Sequence, residues 1–193
     1  MAKVNLKEQE KSSVTTLPNG TYQAVISASW DLGMQESTYE GVTSVKHKVM
    51  FRFEINKTIA DEGIFKGKRY NILKEINIPD FFGDKAALVK LVSASEGKTV
   101  DKAFFNDFDT DSLIGKNLMV ATGLTSGGNA KIESFSTLMD ILPPIVPELT
   151  PEMPEWVAKK VMEGNGSAPT QQPAQPSDIG PQTPPAPEDD LPF

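Results

Sequence analysis

Lys46–Ile55 reads KHKVMFRFEI, and the fold is decided by how these ten residues alternate. His47, Val49, Phe51, Phe53 and Ile55 fall on one side of an extended chain. Lys46, Lys48, Met50, Arg52 and Glu54 fall on the other. A period of two is the mark of a half-buried strand, because successive side chains point to opposite faces. Gly20–Leu32 (GTYQAVISASWDL) alternates in the same way before it. Lys68–Ile78 (KRYNILKEINI) is strand-like after it and stops at Pro79. Lys116–Leu124 and Ala130–Leu138 are two further strands, joined by Thr125-Ser126-Gly127-Gly128-Asn129, a hairpin loop with glycines for positive φ. Between the third and fourth strands Ala87, Leu88, Leu91 and Val92 make one helical stripe. Asp84 is the expected N-cap and Gly97 the expected stop.

The order is β-β-β-α-β-β. It predicts an all-β domain with one helix, a five-stranded OB-fold barrel over residues 15–142 behind an N-terminal arm, 1–14. The alternative is an open five-stranded sheet capped by the helix.

The remainder of the chain is a different polymer. Thirteen of the fifteen prolines follow residue 142, and that last part carries two Lys and eight Asp or Glu. Residues 143–163 read as a proline-rich connector ending in a short helix, Pro154–Met162, with Gly164 as its stop. So short a helix is marginal alone, and Trp156 and Val157 are expected to pack on the barrel or on a second copy of the chain. Residues 164–187, rich in Pro, Gln, Ser and Ala, bury too little apolar surface to fold and read as a disordered linker. Residues 188–193 form an acidic tip, Glu188-Asp189-Asp190-Leu191-Pro192-Phe193.

Composition narrows the chemistry. There is no cysteine and one histidine in 193 residues, which excludes a disulfide scaffold, a thiol nucleophile and cysteine-ligated zinc. No run of 18 apolar residues suggests a membrane span, and Met1–Lys11 has no signal-peptide core. A cytoplasmic protein is expected. Gly97-Lys98-Thr99 resembles the end of a phosphate loop, but Val92 stands where that loop needs glycine. Asp107, Asp109 and Asp111 start like a calcium loop, but Ser112 and Leu118 occupy its glycine and glutamate positions. They read as turn and cap residues, and His47 as a core or barrel-edge residue. No enzyme and no cofactor are expected.

A basic segment lies inside this acidic chain. Between Lys46 and Lys74 eight Lys or Arg face three Asp or Glu, although the whole chain carries −7. Lys46, Lys48, Arg52, Lys66, Lys68, Arg69 and Lys74 are the candidate phosphate contacts, on the two strands that OB-folds use for binding. Trp30, Tyr39 and Tyr70 are the candidate rings for stacked bases. A cationic groove with flat side chains is what a sequence-tolerant single-strand binder needs. An ordinary solvated strand face would show the same alternation of Lys or Arg with apolar residues.

The tip has a chemistry of its own. A terminal Phe193 offers a ring and an α-carboxylate to a pocket, and Asp189 and Asp190 can pair with cations at its rim. The aromatic residue before it is Trp156. Asp189-Asp190-Leu191-Pro192-Phe193 resembles the C-terminal tip of bacterial single-stranded DNA-binding proteins, which end Asp-Asp-Ile-Pro-Phe; only Leu191 differs. Gly20-Thr21-Tyr22, Trp30, Gly33, Phe51-Arg52-Phe53-Glu54, Gly83-Asp84-Lys85 and Leu113-Ile114-Gly115-Lys116 are similar to phage-encoded OB-fold single-stranded DNA-binding proteins. That likeness covers roughly residues 15–142. It implies binding of single-stranded DNA without sequence specificity, with replication, recombination and repair proteins recruited by the tip. The rival expectation is a non-enzymatic adaptor, inhibitor or DNA mimic that acts through the acidic tail alone.

Overall fold

The computed structural model describes residues 16–39, 41–60, 65–148 and 152–166. The arm 1–14, most of the linker and the tip 188–193 lie outside them. Five strands form one antiparallel sheet: β1 (Gly20–Tyr39), β2 (Val42–Thr58), β3 (Arg69–Asn77), β4 (Asn117–Leu124) and β5 (Ala130–Ser136). Their order across the sheet is β3-β2-β1-β4-β5. Helix α1 (Ala87–Glu96) lies between β3 and β4, and α2 (Glu155–Gly166) follows β5. No β3–β5 ladder closes the sheet among the described residues, so the open sheet is the architecture observed.

The inner face is built as the alternation predicts. Val49, Phe51, Phe53 and Ile55 are buried with Ala24 and Ile26 of β1, Ile72 and Ile76 of β3, Leu118 and Val120 of β4, and Ile132 of β5. Leu88, Leu91 and Val92 of α1 cover this layer. The Phe53 ring stacks on Phe135 at 5.7 Å and lies 6.4 Å from Phe51. Each such ring, removed from water, contributes about 1.5–3 kcal/mol.

Helix α1 ends as expected. Gly97 sits at φ 68°, and its N–H caps Ser93 O. Its start differs from the expectation: Asp84 lies in a preceding turn, and the N-cap is Ala86, which makes no side-chain cap bond. Tertiary burial of the apolar stripe, not capping, holds the first turn.

The first hairpin is longer than the sequence suggests. Pairing runs from Ala24–Ile55 out to Tyr39–Val42, so β1 and β2 continue as a projecting arm. Bulges interrupt the register between Ile26 and Ala28 and between Asp31 and Gly33. The first lies where β1 stops pairing with β4, whose ladder ends at Val25–Asn117. A bulge adds twist there and lets β1 leave one neighbour while keeping the other.

The sheet has a second layer on its outer face. Leu32 and Met50 are buried against Val157, with Trp30, Leu73 and Val161 packed around them. Helix α2 therefore docks on this chain's own sheet. Its anchor is Val157, fully buried, whereas Trp156 stays 49% exposed. The helix passes the expected stop at Gly164 and runs to Gly166. Gly164 is where α2 meets β1: a Cβ there would collide with Leu32 O and the Gln35 amide. Gln35 Nε2 pins the contact by donating to Leu32 O at 2.7 Å and to Lys160 O at 2.8 Å.

Candidate nucleic-acid interface

The even-numbered residues of β2 and their partners on β1 and β3 make the outer face. Arg52 lies opposite Ala28 on one side and Leu73 on the other, and Met50 opposite Trp30 and Glu75. Residues 143–148 and α2 run across this face. Gln23 Nε2 donates to Pro143 O at 2.8 Å, and Asn117 Nδ2 donates to Ile145 O at 2.8 Å. Farther along, the Glu148 N–H donates to Glu54 Oε2 at 2.8 Å.

That covering changes what the basic stripe is. Lys48 is buried, with Nζ 2.7 Å from Glu75 Oε1. Lys160 of α2 holds the other Glu75 oxygen at 2.5 Å. Burial pushes the Glu75 carboxyl up, but hydrogen bonds and charge from Lys160 and Lys48 outweigh it and hold the group below its usual value. Arg52 is half-buried and donates from Nε to Asn71 Oδ1 at 3.2 Å. Arg69 donates from Nη1 to Val146 O at 2.7 Å and lies 3.3 Å from Glu148 and 3.7 Å from the buried Glu54. Lys74 donates to Ile132 O at 2.8 Å and sits 5.8 Å from the Phe135 ring. Burial, then the nearby Lys131, lowers its pKa. Four of the seven candidate cations are thus tied into the fold.

Lys46, Lys66 and Lys68 are exposed. Lys46 stands on the hairpin arm. Lys66 and Lys68 gather at the β2–β3 turn with Lys57, which the sequence reading left off the site. Two rings accompany them: Lys57 Nζ lies 5.5 Å from the Tyr22 centroid, and Lys68 Nζ lies 5.8 Å from that of Phe65. Attraction between a cation and a ring face holds such pairs at the surface.

The candidate stacking rings are dispersed. Trp30 is half-buried in the α2 contact. Tyr70 packs on the inner core and lines a shallow hollow with Leu17 and Ala130. Tyr39 ends β1 at the tip of the arm, and its side chain lies outside the described residues. The expected turn role is visible at Asp109, which accepts from Asp111 N at 2.9 Å. His47 lies on the interior strand β2, at the hairpin root, and pairs with Asp31 at 2.7 Å.

Two features escaped the reading of the sequence. One is the cation–ring grouping at the β2–β3 turn. The other is a cluster of phenylalanines, Phe82, Phe104, Phe105 and Phe108, beside α1. Its signal was present in the adjacent Phe81-Phe82 and Phe104-Phe105 pairs, which sit outside any strand or helix period.

No family model matches the chain, and neither does any curated protein.

Proposed function

We propose that the chain binds single-stranded DNA without sequence preference, using an OB-type barrel partly open between β3 and β5. The strand order β3-β2-β1-β4-β5, with a helix after β3, suits that fold. Ile72 and Ile76 of β3 share one core with Ile132 of β5, and the Lys74 side chain bridges the two strands. The observation that carries the binding reading is the pairing of exposed lysines with rings at the β2–β3 turn. Lys57 beside Tyr22 and Lys68 beside Phe65, with Lys66 between them in sequence, offer cations for phosphates and flat groups for bases. The proposed binding surface is therefore the β2–β3 turn end of the sheet and not the covered centre of the outer face. The reading needs no cofactor and no chemical step. The tip resemblance adds recruitment of replication, recombination or repair proteins through Asp189, Asp190, Leu191, Pro192 and Phe193. Among the described residues no helix is long and apolar enough to cross a membrane.

Titration of labelled oligo-dT at stepped salt concentrations tests this reading. Five phosphate contacts give a log–log salt slope of about −3.5, and replacing Lys57, Lys66 and Lys68 with Ala makes it shallower by about 2. An unchanged slope overturns the assignment of the surface. Absence of wild-type binding overturns the function and leaves the adaptor reading.

A further inference from the structure

Phe82, Phe105 and Phe108 line a cleft of about 260 Å³. One wall is the β3–α1 connection, with Ile78, Asp80 and Phe82. The opposite wall is the segment from Lys102 to Thr110. The Phe82 and Phe105 rings lie 6.0 Å apart and tilted, and Phe105 meets Phe108 edge-on at 5.2 Å. Phe81 stands at the surface with 86% of its area exposed. A single exposed apolar residue is ordinary, but a ring beside a ring-lined cleft marks a binding surface. The Ile78 N–H donates to His47 O at 2.8 Å, which puts the cleft at the foot of the hairpin arm.

We propose that this cleft receives one unstacked nucleobase of a bound single strand; the proposal rests on the reading of the chain as a single-strand binder. Pockets for drug-sized ligands run to about 300–1,000 Å³, so this one suits a single ring system. Three of its lining side chains are the rings of Phe82, Phe105 and Phe108, the kind of group on which bases stack whatever their identity. Polar groups surround the rings: Asp80 and Asn106 line the cleft and match the donor and acceptor edges of a base. Lys102 lines it too, and Lys85 follows in the same β3–α1 connection, so cations are at hand for the phosphates on either side. An apolar protein segment would leave Asp80 and Lys102 facing it without partners. The cleft lies level with His47, ten residues along β2 from Lys57, which is about 33 Å of strand at the usual rise.

The test compares two ligands of equal length and charge, oligo-dT and an abasic strand with the same sugar-phosphate backbone. Both are titrated into the full chain and into its Phe82→Ala variant. Phe82 lines the cleft and is 36% exposed, so its loss leaves the buried core intact. Stacking of one base predicts a loss of about 5- to 150-fold on oligo-dT. The abasic strand is expected to bind both proteins equally. In Phe82→Trp, oligo-dT quenches the new indole and the abasic strand does not. Equal affinity of wild type and Phe82→Ala for oligo-dT overturns the base site while leaving single-strand binding intact. An equal loss on both strands, or a change in self-association in place of binding, overturns it as well. Failure of the wild type to bind oligo-dT removes the underlying reading and the base site with it.

Discussion

Replacing Glu75 with Gln isolates the charge that joins α2 to the sheet. The carboxylate takes Lys48 Nζ at 2.7 Å and Lys160 Nζ at 2.5 Å. Side-chain exposure is 11% for Lys48, 26% for Glu75 and 37% for Lys160. A fully buried pair that loses one partner costs about 3–5 kcal/mol, and a fully exposed pair about 0–1. The observed exposure lies between these limits, so the variant is expected to lose about 1.5–3 kcal/mol, chiefly because Lys48 is left buried without a counter-charge. For a chain of this size that is about 4–10 °C in Tm. The pH dependence has a definite sign. The Glu75 pKa is lowered in the fold, so its contribution is complete above the usual glutamate range and is lost as pH falls through the lowered value. The gap between wild type and variant is therefore widest near neutrality and narrows below about pH 4. Urea unfolding followed by far-UV circular dichroism and by Trp30 and Trp156 fluorescence measures it. Lys48→Met with Glu75→Leu restores much of the loss, since apolar groups of similar volume replace a buried pair with little penalty. A Glu75→Gln variant within about 0.5 kcal/mol of wild type refutes the reasoning, being no larger than an ordinary surface substitution. So does a double variant no more stable than the single one.

Other consequences can be checked directly. Gly164→Ala pushes a methyl group into Leu32 O and is expected to cost about 1–3 kcal/mol. Hydrogen exchange should accelerate in α2 and around Leu32–Gln35 while β4 and β5 stay protected. Phe53→Ala removes a ring fully buried among both Phe neighbours and should cost about 3–5 kcal/mol in thermal or urea unfolding. Deleting residues 188–193 should leave oligo-dT affinity equal or higher and abolish capture of partner proteins. Loss of DNA binding in that truncation would show the tip to be part of the DNA site.

The inner face of the sheet was legible because period-two alternation states which residues share a side, and Val49, Phe51, Phe53 and Ile55 could hardly face water together. What lies over the other side is not a local property. Lys48, Arg52 and Glu54 read as a solvated stripe because their cover is supplied by residues 143–166, far along the chain. Met50 among these charges was a signal of that cover, as were Val157 and Val161 one helical turn apart. The arm beyond Leu32 was missed for a different reason. Gly33 looks like a strand end, but its φ of 66° accompanies a bulge that the ladder passes through. Of the candidate site, Lys66 and Lys68 at the β2–β3 turn could be read from local charge, but their grouping with Lys57, Tyr22 and Phe65 could not. The phenylalanine cleft could not, since it joins two connections that flank α1.

The docking of α2 also has a consequence for the order in which the chain matures. Trp30, Leu32 and Met50 are made early, whereas Val157 and Val161 are added more than a hundred residues later. During synthesis the inner layer can form once β5 has emerged, but the outer apolar strip then stands bare. Its cover arrives only with the connector and α2, over a long loop that must close. For that interval the nascent chain displays an unfinished surface to chaperones and to other nascent chains. Any arrest of synthesis between residues 136 and 157 would leave a sheet with its inner core complete and its outer face adhesive.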